Sequence, residues 1–322
     1  MRDQFLRQRC NVTVYIEILG SAAGGGFPQW NCNCRNCQSS RAGTFQGKAR
    51  TQTQVAVTSD NQHYFLLNAS PDLRLQIEAS PSLHPRSGQR DSPIGGVVLT
   101  SADIDQIAGL MSLRELQPFR VYSTPALRHI LQQDNSMFGM LNRVPDQVSW
   151  QEITPGRSFS LLDAAGAQSG ISCEAFSVGS SYPAYVSAQR AASFKSEEAL
   201  LGLIMQSSSG KKLAYMPAVP AIDEALLKRL ESADLLLFDG TFWSDDELIR
   251  VQGSGATAHE MGHIPVSGAD GSLRKLAGLR HPRKVFIHIN NTNPMLDESG
   301  PQYREVRDAG WEIAEDGWNL DL

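Results

Sequence analysis

Hydrophobic positions along this chain fall into two kinds of run. Some are short and unbroken, such as Leu235-Leu-Leu-Phe238 and Val285-Phe-Ile287, and are bounded by Gly, Asp, Asn or Pro. Their length and composition predict strands buried on both faces. On this basis strands are expected at 13–19, 53–58, 64–68, 96–99, 119–122, 158–162, 172–178, 202–206, 213–215, 235–238, 285–288 and 312–314. Other runs repeat an apolar residue every three to four positions among charged ones. These predict helices at 71–78, 107–116, 125–133, 221–230, 272–279 and 301–308. Two successive sets of strands, each with helices among them, imply a layered α/β sandwich. The stretch 80–93 is rich in Ser, Pro, Arg and Gly and reads as a solvated loop, while 180–196 is irregular enough to lie over a cleft.

Composition narrows the class. With 322 residues, 41% hydrophobic and 20% charged, the chain can bury a large core. A net charge of −5 without basic tracts argues against nucleic acid or an anionic membrane as partner. No apolar run reaches bilayer-spanning length, and the first dozen residues lack the apolar stretch of a secretory signal, so a cytoplasmic location is expected. Residues 1–12 read as an extension ahead of a single domain at 13–322. A homodimer is compatible with this composition.

Five cysteines, three of them within six residues, do not form a disulfide framework. Cys32-x-Cys34-x-x-Cys37 places three thiols in one tight loop, where a soft cation can collect them. Zinc takes four ligands in a closed structural site, so a fourth is expected from a distant His, Asn or Asp, or from water. Cys10 and Cys173 are isolated and read as inert thiols. The glycine-rich run from Gly20 to Pro28 matches neither nucleotide-binding fingerprint and reads as a sharp exit from the first strand.

Other candidate groups follow strands. Asp103 and Asp105 come after Leu99, Asp239 ends 235–238, and His288 ends 285–288. Each has a plain alternative, since Asp103 or Asp105 could cap a helix and His288 could be a satisfied core histidine. His259 and His263 have the H-x-x-x-H spacing of a zinc helix, but Gly262 and Pro265 argue for a loop. Taken together, ligands at strand ends on one edge of layered sheets are how a sandwich assembles a metal site.

These segments resemble the metallo-β-lactamase superfamily, whose first motif is Thr-His-x-His-x-Asp-His. Thr100-Ser101-Ala102-Asp103-Ile104-Asp105-Gln106 stands in its place, with Asp239 at the bridging-aspartate position and His288 at the late histidine. The resemblance implies an αββα four-layer sandwich. Ser101, Asp103 and Gln106 replace histidines, which argues against a dinuclear zinc hydrolase. From Val14 onward the chain more closely resembles the coenzyme PQQ synthesis protein B family. The match is carried by the run from Gly20 to Cys34, by Asn68-Ala-Ser-Pro-Asp72, Asp239-Gly-Thr241 and Met261-Gly-His263, and by the run from His288 to Pro294. That resemblance implies a part in making pyrroloquinoline quinone (PQQ) from a Glu–Tyr-derived precursor. It implies an iron-dependent hydroxylase of the tyrosine ring, or alternatively a carrier of PQQ or its precursor with only a structural zinc. On the first view Fe²⁺ is held by Asp103, Asp105, Asp239, His263 and His288, with Asp103, Asp105 and His263 also catalytic and His263 able to shuttle a proton. The family carries His where Gln106 stands, so His259 is a candidate to compensate.

Overall fold

The structure is a computed structural model and describes residues 14–322. The expected extension 1–12, residue 13 and Cys10 lie outside the described residues. Fourteen strands are seen among the described residues: β1 (Tyr15–Gly20), β2 (Gln54–Thr58), β3 (Tyr64–Leu67), β4 (Ile94–Val98), β5 (Phe119–Ser123), β6 (Val148–Glu152), β7 (Ser158–Leu162), β8 (Gln168–Gly179), β9 (Leu200–Ser207), β10 (Lys212–Met216), β11 (Leu235–Asp239), β12 (Arg283–Ile287), β13 (Trp311–Ile313) and β14 (Trp318–Asp321). They form two seven-stranded sheets, ordered β14-β1-β2-β3-β4-β5-β6 and β13-β12-β11-β10-β9-β8-β7.

The unbroken apolar runs follow from burial on both faces. In β11, Leu235 and Leu237 point into a core between the sheets, beside Ile16, Val57, Phe65 and Tyr215. Leu236 and Phe238 point the other way, onto Leu226, Leu230 and Val306 of the helices Glu224–Leu230 and Pro301–Asp308. The first sheet repeats the scheme. Its outer face packs Ala56, Leu66, Val97 and Val121 against Leu73, Leu127 and Ile130. Helices therefore cover both sheets, giving the four-layer αββα sandwich that the motifs implied. Each sheet has a parallel part, β3-β4-β5-β6 in one and β10-β11-β12-β13 in the other. Loops leaving the carboxyl ends of these strands gather on one edge of the sandwich, where the candidate site lies.

Several element boundaries differ from expectation. Strands β6 and β14 were not expected; both are sheet edges with half-exposed, mixed sequences, so their apolar signal is weak. The helix expected at 107–116 is an α-turn over Ile104–Ile107 followed by tighter 3₁₀ turns over Ala108–Leu113. Gly109 packs against the preceding chain there, and an added Cβ would sit 2.1 Å from the Ser70 carbonyl oxygen. The helix Arg35–Arg41 begins inside the cysteine motif, where the spacing predicts a tight loop. No helix among the described residues is long and apolar enough to cross a membrane.

Candidate metal centre

His288 follows β12 directly and turns the chain through φ +61°, a conformation that costs a non-glycine residue about 1–3 kcal/mol and persists where surrounding bonds dictate it. Those bonds are identifiable. Thr241 Oγ1 lies 2.8 Å from His288 Nδ1 and 2.8 Å from the His288 carbonyl oxygen, and the same hydroxyl reaches Asp239 Oδ1 at 2.7 Å. Its single proton goes to the charged and nearer of these two oxygens, Asp239 Oδ1, so it accepts from His288 Nδ1–H. That assigns the tautomer and leaves Nε2 as a bare lone pair.

His263 is arranged in the same way. Its Nδ1 lies 2.8 Å from Asp239 Oδ2, so Nδ1 donates and Nε2 is again free. The two imidazoles stack with centroids 5.3 Å apart and 21° between their planes. Asp239 is fully buried and has all its acceptor positions taken: Oδ1 by Thr241 N and Oγ1, Oδ2 by Val219 N and His263 Nδ1. A carboxylate so committed orients ligands rather than bridging two metals. Asp239, His263 and His288 still offer ligand atoms within 4.8 Å of one another.

Asp105 completes the junction, its Oδ2 standing 2.8 Å from His288 Nε2. Burial opposes its ionisation, but a proton held between His288 Nε2 and Asp105, and the charged forms of both histidines, outweigh this and hold it below the usual carboxylate range. Asp103 lies nearby, its Oδ2 accepting from Ser101 Oγ at 2.7 Å; burial and the charge of Asp105 raise its affinity for a proton. It occupies the N-cap position of the turn beginning at Ile104 but makes no side-chain cap bond. For His263, burial disfavours the charged form, yet Asp239, Asp105 and Asp103 together raise it above the ordinary histidine value. The glycine-rich loop after β1 approaches closely. An added Cβ on Gly24 would lie 3.6 Å from the Asp105 side chain, so the loop walls the site rather than cradling a phosphate.

A second cluster lies beyond the His288 segment. The sulfur atoms of Cys32, Cys34 and Cys37 fall within 4.8 Å of one another. The Asn291 amide group faces all three, at 3.0, 3.7 and 3.3 Å respectively. Since the two ends of an amide are assigned by their surroundings, either the oxygen or the nitrogen of Asn291 can be turned to the sulfurs. Burial pushes the Cys34 thiol up to about 12. For Cys32 burial acts in the same direction, but hydrogen bonds from Cys34, Cys37 and Asn291 outweigh it and hold the thiol below its ordinary value.

The expected residues thus divide. Asp103, Asp105, Asp239, His263 and His288 meet at one edge, and Cys32, Cys34 and Cys37 meet at a neighbouring cluster. His259 joins neither; it pairs with Asp245 at 2.7 Å on the surface, because Gly262 at φ +83° ends the turn and points His263 inward alone. It does not compensate for Gln106. Gln106 is buried, accepts from Asn68 and lies 3.4 Å from Asp105 Oδ2, a supporting position behind the acid. Cys173 is buried between the sheets, where burial raises its thiol and keeps it inert. Sequence reasoning missed the parts played by Thr241 and Asn291, although both stand in motifs it singled out. It also missed Tyr185, whose hydroxyl donates to the Ala102 carbonyl within the irregular 180–196 stretch.

Residues 63–289 match the model of the β-lactamase superfamily domain. Coenzyme PQQ synthesis protein B of Methylorubrum extorquens is 42% identical over 309 residues, spanning 96% of this chain and all of the relative. The protein of that name from Pseudomonas putida is 42% identical over 310 residues with the same coverage. Among solved structures, zinc-bound PqqB from Methylobacterium extorquens superposes with a TM-score of 0.88 at 42% identity, covering 96% of this chain and all of that one. A diphosphatase of the PhnP family, 19% identical with a TM-score of 0.66 over 96% of this chain and 97% of its own, shares the fold. The chain therefore belongs to the coenzyme PQQ synthesis protein B family, within the β-lactamase superfamily.

Proposed function

We propose that this protein acts in the biosynthesis of PQQ as an iron-dependent hydroxylase of the tyrosine ring in a Glu–Tyr-derived precursor, with a structural zinc in the cysteine loop. The observation that carries the reading is the paired imidazoles. Both Nδ1 atoms are tied to Thr241 or Asp239, and His288 Nε2 faces Asp105 at 2.8 Å. Histidines that ligate metals have this kind of support behind them, which fixes the ring and raises its basicity. A site of two imidazoles and one or two carboxylates suits Fe²⁺ and leaves positions open.

Bound there, Fe²⁺ would supply activation of O₂, one oxygen atom going to the ring and the other to water with two electrons from a reductant. The protein's own groups do the rest. His288, His263 and Asp105 would hold the ion, and Thr241 and Asp239 keep the imidazoles aimed. Asp103, whose affinity for a proton is raised by burial and by Asp105, is placed to hold a proton beside the ion. The loop from Gly20 to Pro28 lies against Asp105, and Tyr185 is tied to the Ala102 carbonyl.

The cysteine cluster fits zinc by the chemistry of its donors, three thiols and the Asn291 amide oxygen once turned inward. A relative of 42% identity solved with zinc bound supports zinc as a metal of this protein. A closed site of this kind keeps no position for substrate, hence a structural role. A hydrolase reading draws little from the site, because Ser101 and Asp103 face each other where the superfamily motif carries histidines.

The test is oxygen uptake by anaerobically Fe²⁺-loaded protein supplied with reductant and the Glu–Tyr-derived precursor. The proposal expects uptake matched by addition of oxygen to the precursor in mass spectra. No uptake, together with saturable binding of PQQ, would overturn it in favour of a carrier.

A further inference from the structure

His288 and Asn291 are three residues apart, yet each faces a different cluster. The segment between them is bonded to both. Towards the cysteines, Asn36 Nδ2 donates to the Asn291 carbonyl at 3.1 Å and to that of Asn293 at 3.0 Å. Towards the histidines, Asn290 N donates to the Thr241 carbonyl at 3.0 Å, and Ile289 N to that of Ser21 at 3.0 Å. Behind the segment, Thr292 Oγ1 accepts from Asn290 Nδ2 and donates to Glu247 Oε1. The other oxygen of Glu247 accepts from Trp243 N at 2.6 Å.

Glu247 is only 5% exposed, and among the described residues no cation pairs with it. Burial pushes its carboxyl up to about 7. A buried acid without a counter-charge is costly to retain for packing, since an apolar side chain would fill the space more cheaply. What it offers is a strong acceptor that locks the Thr292 hydroxyl. That hydroxyl sits on a piece of chain that joins the two candidate metal sites.

We propose that Glu247 and Thr292 are positioning residues that hold the 288–293 segment rigid between the two sites, so that zinc in the cysteine loop raises the affinity of the Asp105–His263–His288 site for a divalent cation. The inference rests on the reading above that both clusters hold metal. Zinc fixes Asn291, the Thr292–Glu247 pair prevents the following bond rotations, and His288 keeps its positive-φ turn. By reciprocity, a cation on His288 tightens zinc as well.

The experiment titrates zinc-loaded wild type, Thr292→Val and Glu247→Gln with Co²⁺, following its visible absorption, with zinc content measured on the same samples. Hydrogen exchange at the Ile289 and Asn290 amides is followed in parallel. Both variants are expected to keep their zinc, to bind Co²⁺ weaker by on the order of tenfold or more, and to exchange faster at those two amides. Unchanged Co²⁺ affinity with unchanged exchange would overturn the proposal, as would loss of zinc and general protection together, the mark of a purely structural role. If zinc-loaded wild type binds no Co²⁺ at all, the metal reading of the histidine site fails by itself. Exchange at Ile289 and Asn290 in Cys34→Ser against wild type then decides the coupling: faster exchange sustains it, and equal exchange overturns it.

Discussion

His288 Nε2 stands 2.8 Å from Asp105 Oδ2, joining the carboxyl end of β12 to the turn that follows β4 in the opposite sheet. Because His288 Nδ1 already donates to Thr241, both facing atoms bring lone pairs. Only a proton or a cation between them makes the contact attractive. Replacing the hydroxyl behind the ring removes what fixes its tautomer. Thr241→Val is therefore expected to weaken divalent-metal binding by about 10–100-fold while leaving the cysteine site loaded, as measured by equilibrium titration with Fe²⁺ or Co²⁺.

Metal binding at this site must displace protons. The folded-state value of His263 lies above the ordinary 6.5, so the stabilisation from its charged form is complete below 6.5 and is lost as pH rises through the raised value. A metal needs the neutral ring. Affinity should therefore climb as pH rises through that range, and calorimetry in buffers of different ionisation enthalpy should detect more proton release at the acid end. An affinity independent of pH would mean that His263 is not a ligand.

Asp239 receives four donors in a fully buried position. Asp239→Asn turns an NH₂ group towards two of them and leaves at least one unsatisfied. We expect a loss of about 1–3 kcal/mol in unfolding stability together with weaker metal binding, read by denaturant titration and metal analysis. Were stability to stay unchanged, the four-bond arrangement would be wrong.

How far the sequence made this legible depends on the residue. Leu235–Phe238 and Val285–Ile287 announced central strands because they are buried on both faces, and Asp239 and His288 followed as groups at strand ends. The edge strands Val148–Glu152 and Trp318–Asp321 carried no such signal, since half of each faces solvent. Cys32, Cys34 and Cys37 were legible from spacing alone. Asn291 was not, because its approach to the sulfurs depends on a strand exit more than 250 residues away in sequence. Thr241 was invisible for a similar reason: its role lies in one hydroxyl shared among Asp239, His263 and His288. His259 misled because H-x-x-x-H spacing implies a shared helix face, whereas a 3₁₀ turn closed by Gly262 separates the two rings.

The Asn291 amide is placed to complete the cysteine site through its oxygen. Asn291→Asp preserves an oxygen donor and adds charge, so it should retain zinc. Asn291→Leu has no donor and should lose zinc on dilution into a chelator, with a lower thermal midpoint. Equal zinc retention in both variants would remove Asn291 from the ligand set.

Trp311 supports the site from the far side of β12. Its ring stacks on Phe286 with centroids 4.1 Å apart and 11° between planes, and it is almost completely buried. Trp311→Ala should cost about 3–5 kcal/mol in unfolding stability, checked by denaturant melts.

The most direct test is metal content by mass spectrometry on protein loaded anaerobically with Fe²⁺, for wild type and for His288→Ala. The account expects about one zinc and about one iron per chain in the wild type, and zinc with little iron in the variant. Wild type that retains zinc but no iron, or a variant that keeps its iron, would contradict the assignment of Asp105, His263 and His288 as an iron site.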